Sequence, residues 1–84
     1  MKTVFVIIGE GYTSEEVKDE IRKEGYAYYF FFATDALLDD LNMQKEYLDM
    51  HMDNADEIWT FGDVSKNTLY QMAVEKGVDI WKMG

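Results

Sequence analysis

At 84 residues the chain has room for one domain, and its 48% hydrophobic and 15% aromatic content is that of a folded globule rather than a disordered tail. The absence of cysteine and the presence of one histidine exclude a disulfide framework and the thiolate or histidine clusters of zinc sites, so neither a metal nor a cofactor is expected. Seventeen acids against eight bases leave a formal charge of −9, which repels nucleic acid and anionic lipid and favours cationic ligands or a basic protein.

Thr3 to Ile8 (TVFVII) is β-branched and almost wholly apolar, the pattern of a strand buried on both faces. Gly9-Glu10-Gly11 ends it. Thr13 and Glu16 then form the reciprocal capping pattern that opens a helix. Val17 and Ile21 share one face of that helix, and Gly25 closes it. Ala27 to Phe32 (AYYFFF) predicts a second strand. A long second helix is expected from a cap at Thr34 or Asp35 to about Asn54, with Leu37, Leu38, Leu41, Leu48 and Met52 inward. Ile58 to Phe61 predicts a third strand, and Ser65 to Lys76 a third helix with Leu69, Met72 and Ala73 inward, ending at Gly77. The alternation from Val78 to Met83 reads as a half-exposed edge strand.

Strands separated by helices throughout predict parallel pairing with right-handed crossovers. Residues 1–84 therefore form one α/β domain, a small three-layer Rossmann- or flavodoxin-like unit. Its four-stranded parallel sheet is expected in the order 2-1-3-4, with three helices. The first helix covers one face, and the second and third share the other. One helix leaves part of its face bare near Trp59, Phe61 and Trp81, so a homodimer or a protein partner is expected there. The apolar run Val4 to Ile8 is too short for a signal peptide, and no segment approaches the ~20 residues that span a bilayer. The expected location is cytoplasmic.

In such sheets ligands bind beyond the strand C-termini where the order reverses, here between the first and third strands. The loops at that point carry Gly9, Gly11 and Tyr12 on one side and Gly62, Asp63, Ser65, Asn67 and Thr68 on the other. Unpaired N–H groups at the starts of the following helices attract anions, Ser65, Asn67 and Thr68 can bond phosphate or ribose oxygens, and Lys66 adds a charge. Equally, the glycines serve to turn the chain, and Ser65 or Asn67 to cap a helix. Glu10 and Asp63 form a further candidate pair of carboxylates, and His51, between Met50 and Met52, reads as a surface residue.

The run Ala55-Asp56-Glu57-Ile58-Trp59-Thr60-Phe61-Gly62-Asp63-Val64-Ser65-Lys66-Asn67-Thr68, with Ala73 and Gly77-Val78-Asp79-Ile80, resembles the closing β-α-β of the nucleoside 2-deoxyribosyltransferase-like proteins. It also resembles the related DprA- and lysine-decarboxylase-like (LOG) nucleotide-binding domains. The resemblance covers the closing third of the chain. It implies a Rossmann-like sheet that binds nucleotides, nucleosides or their derivatives. Catalytic members carry a glutamate nucleophile near the start of this helix, and that position falls on Leu69 or Gln71 here. Asn67 stands where a glycine would admit phosphate to the backbone. The resemblance thus implies a nucleotide pocket without the family's transferase or hydrolase chemistry.

Asp35, Asp39, Glu46, Asp49 and Asp53 recur at spacings that return to one face of the expected second helix. Residues 35–57 hold eight acids and one base, Lys45. A solvated face is the simple reading. The sharper one is an imitation of a phosphate backbone that occupies a basic nucleic-acid-binding groove.

Three functions follow. The first is non-catalytic binding of a nucleotide-derived ligand at the Gly9 and Ser65 loops, and the second is acidic inhibition of a nucleic-acid-binding enzyme, of the anti-defence type. The third and least favoured is a minimal deoxyribosyltransferase or N-glycosidase. The compact size and shortened family pattern lead to the expectation of a phage or other mobile-element origin.

Overall fold

Val4 to Ile8 are all buried, which requires that both faces of the strand Thr3–Ile8 (β1) be covered. The computed structural model describes the backbone of residues 1–39 and 42–84 and the side chains of 1–39 and 45–84. In it β1 lies between Tyr29–Ala33 (β2) and Glu57–Phe61 (β3), and Ile80–Lys82 (β4) pairs with the far side of β3. All pairings are parallel, and the order is β2-β1-β3-β4, as the alternation of elements predicts. Phe5 stands opposite both Phe31 and Ile58.

Ser14–Glu24 (α1) crosses from β1 to β2, Asn42–Asn54 (α2) precedes β3, and Thr68–Lys76 (α3) leads to β4. Period-two alternation along β1 divides the core. Val4, Val6 and Ile8 meet Val17 and Ile21 of α1 together with Trp59 and Phe61. Phe5 and Ile7 meet Leu48 and Met52 of α2, Leu69, Met72 and Ala73 of α3, and Ile58. Helix α1 begins at the predicted capping box, where the Thr13 hydroxyl accepts from the Glu16 N–H and the Glu16 carboxylate accepts from the Thr13 N–H. Gly25 and Gly77 end α1 and α3 in left-handed caps.

Several expectations need correction. The stretch read as one long second helix divides into a 3₁₀ turn, Asp35–Asp39, and α2, which starts at Asn42. Asp35, at the start of the turn, sends its carboxylate to the start of α3 instead of along a helix face. Leu37 and Leu38 still pack on the core, whereas the expectations for Asp40 and Leu41 fall outside the described residues. Helix α3 starts at Thr68 rather than Ser65, because the Asn67 side chain accepts from the Tyr70 N–H and caps it there. The last strand is confined to three residues.

The bare sheet face is smaller than one helix alone would leave. Trp59 and Phe61 are buried, 3% and 5% exposed, whereas Trp81 is 53% exposed. The extra cover is aromatic. Tyr26, Tyr28 and Phe30, from the end of the first crossover and from β2, place their ring centroids 4.9, 6.2 and 5.4 Å from that of Trp59. His51 is not a simple surface residue either. Its ring stacks on Phe31 at 4.2 Å, meets Tyr47 edge-on, and has Nε2 buried without a hydrogen-bond partner among the described residues.

Leu48 is fully buried beneath the sheet, so Leu48→Ala should cost about 2–5 kcal/mol in urea unfolding. Glu46→Ala, on the exposed side of the same helix, should stay within about 0.5 kcal/mol of wild type.

Candidate functional site

The chain leaves β1 toward one side and returns at β3 on the other, so the loops after these strands part at the reversal point of the sheet. They are bound backbone to backbone. The Gly9 N–H donates to the Phe61 carbonyl at 2.8 Å, the Glu10 N–H to Asp63 at 3.0 Å, and the Asp63 N–H back to Glu10 at 2.9 Å. A side chain at Gly9 would collide with the Asp63 carbonyl, and one at Gly62 with the Glu10 carbonyl; Gly62 also holds φ at +81°.

In front of this crossing lies an open cleft of about 330 Å³. Ile8, Gly9, Glu10 and Tyr12 form one wall, Asp63, Ser65, Lys66 and Asn67 another, and Thr34 and Asp35 the third. Of the residues expected to bind a ligand, Gly9, Tyr12, Asp63, Ser65 and Asn67 are therefore brought together. Gly62 borders a neighbouring hollow with Thr60, Tyr70 and Lys82. Gly11 stands exposed with nothing packed beside it. Thr68 is exposed and contributes only its backbone N–H to the local bonding. Thr34 and Asp35 are the lining residues that the loop motifs did not reveal. The sheet order held the signal, since it sets the loop after the second strand beside the loop after the first.

The electrostatics differ from those of a phosphate cradle. The Asp35 carboxylate accepts from the Thr68 N–H at 2.8 Å and from the Leu69 N–H at 3.1 Å, and Asn67 accepts from Tyr70 at 3.0 Å. The first donors of α3 are thus satisfied within the chain. The donors of Ser65 are taken as well, because its N–H and hydroxyl both donate to Asp63, at 3.0 and 2.7 Å. These bonds hold the Asp63 carboxyl below its ordinary range, the Ser65 backbone N–H most and the Ser65 hydroxyl next, with Lys66 and Lys82 helping less. The cleft is lined by three acids, Glu10, Asp35 and Asp63, against one base, Lys66, with the ring of Tyr12, itself packed edge-on against Phe61 at 5.8 Å. Such a lining suits hydroxyl or ammonium groups better than an anion. Leu69 is fully buried, and Gln71 reaches toward the Ser65 carbonyl.

The acidic stripe does not persist as one helical face. Asp35 lies in the cleft, Asp39 is exposed on the 3₁₀ turn, and Glu46 is exposed on α2. Asp49 and Asp53 both bind Lys76 of α3, at 2.8 and 2.6 Å, and raise its pKa, Asp49 more than Asp53. Asp56 accepts from the Thr3 N–H, and Glu57 binds Lys2 and the Trp59 indole N–H, which lower its pKa in that order. Among the described residues no three His, Asp or Glu side chains converge as a metal site requires, and no helix is long and apolar enough to cross a membrane. Comparison with protein-family models, curated proteins and solved structures gives no match to this chain.

Asp35→Ala should destabilise the protein by about 0.5–2 kcal/mol in denaturant unfolding, the usual cost of a lost helix cap. Because the folded-state pKa of Asp63 is depressed, its stabilising contribution is complete above the ordinary carboxyl value of about 3.9 and is lost as pH falls through the lower folded value. Carboxyl NMR should find Asp63 titrating below an unfolded aspartate, and Ser65→Ala should move that titration upward without restoring it fully, since the backbone N–H remains.

Proposed function

We propose that the chain binds a nucleotide-derived ligand in the cleft before Gly9 and Asp63, and that it grips the nucleoside portion rather than a phosphate. The observation that carries this reading is the carboxylate of Asp35 on the first N–H groups of α3. An anion seated there would meet a filled position and a like charge. Ribose hydroxyls, by contrast, are donors suited to Asp63 and its neighbours, in the way an acidic side chain receives ribose in dinucleotide-binding folds. Tyr12 offers a ring to a base. The location at the sheet's reversal point and the resemblance of residues 55–80 to nucleotide-binding domains support the same choice. Turnover is no part of the proposal, since neither Leu69 nor Gln71 can attack an anomeric carbon.

Thermal unfolding in the presence of nucleosides, their 5′-phosphates and inorganic phosphate tests this. A nucleoside at 100 times its dissociation constant adds about 2.7 kcal/mol, and the melting temperature should rise by about 4–8 °C for each kcal/mol. Inorganic phosphate should leave it unchanged. Tyr12→Ala and Asp63→Asn should each diminish the rise, measured from the variant's own melting temperature. A rise with phosphate alone, or none with any nucleoside, would refute the reading.

A further inference from the structure

On the α1 side of the sheet, between that helix and β4, runs a groove of about 290 Å³ whose floor is Trp59, Phe61, Ile21 and Met83. Its helix-side wall carries Glu20 and Glu24. Trp81 is the register partner of Trp59 on the neighbouring strand and so stands on the same face, 53% exposed. Met83, two residues on, and Tyr26, at the groove's end, are also exposed. The exposed apolar side chains here, Trp81, Met83 and Tyr26, lie beside two glutamates, and an apolar surface rimmed by charge is the form of an interaction site.

The charge decides what covers it. Glu20 and Glu24 are four residues apart on one helical face, an arrangement unfavourable to the helix, and neither has an ion-pair partner among the described residues. Of the three bases of α1, Lys18 lies over the Phe32 ring at 5.5 Å, toward β2, Arg22 pairs with Asp19, and the exposed Lys23 does not line the groove. The groove therefore offers an apolar floor beside two unneutralised carboxylates. A second copy would add its own Glu20 and Glu24 to the same interface, between chains of charge −9 each.

We infer that this groove docks a basic, amphipathic segment of another protein, with apolar side chains on Trp81, Met83 and Tyr26 and Lys or Arg side chains on Glu20 and Glu24. Exposed Trp81 further suits a guanidinium stacked on its face. The inference is independent of the cleft at Gly9, which lies at the loop end of the sheet.

Selection from a library of random 12-residue peptides on the immobilised protein, followed by affinity measurement with the free peptides, tests it. Enriched peptides should combine Lys or Arg with Trp, Leu or Ile. Their affinity should fall at least tenfold for the double variant Glu20→Gln/Glu24→Gln and for Trp81→Ala, and fall with rising salt. Asp39→Asn/Glu46→Gln removes the same charge from another surface and should leave affinity unchanged. Circular dichroism should show all three variants folded, since the altered residues are exposed. Three results overturn the inference: no enrichment, enriched peptides equally sensitive to the Asp39/Glu46 change, or a wild-type dimer in sedimentation equilibrium that Trp81→Ala dissociates.

Discussion

The constraint on which the rest depends is the backbone crossing of two loops, Glu10 against Asp63, just beyond the strands from which they emerge. Parallel strands would otherwise release their chains to diverge, one to each face. Here the absence of side chains at Gly9 and Gly62 lets the two backbones touch and exchange hydrogen bonds. This fixes the floor of the cleft within the chain itself and sets the directions in which α1 and α3 depart. A preformed site loses less conformational freedom on binding than one that must assemble.

Much of the architecture was legible because its determinants are local or follow from topology. The Thr13–Glu16 box and the caps at Gly25 and Gly77 lie within a few residues of the helix ends they define. The alternation of strand and helix leaves few sheet orders open, and the observed one is the simplest. What escaped has long-range causes. Asp35 sits at a helical spacing from Asp39, yet its hydrogen-bond partners are 33 and 34 residues away. Periodicity carries no information about such a partner. Asn67 was equally ambiguous as ligand group or cap, and only its bond to Tyr70 distinguishes the two.

The candidate site was legible in its position and not in its chemistry. Knowing the order of the strands suffices to bring Gly9 and Ser65 to one rim. The polarity of the rim depends on which side chains consume its donors, and Asp35 and Asp63 consume them. Similarly, acids between residues 35 and 57 look alike in sequence, yet Asp35 caps a helix, Asp49 and Asp53 surround Lys76, and Glu57 joins Lys2 to β3. Net charge describes the molecule from a distance, whereas each carboxylate is governed by its nearest donor.

The carboxylate that closes the start of α3 also bears on how the chain folds. A nine-residue helix is too short to persist alone in water, and the group that completes its first turn sits just past β2. The first turn of α3 is therefore completed by a residue from the amino-terminal half of the chain. With every strand pairing bridging distant segments, no hairpin offers an early, independent nucleus. The Asp35 contact thus ties the two halves of the chain to one another in the folded state.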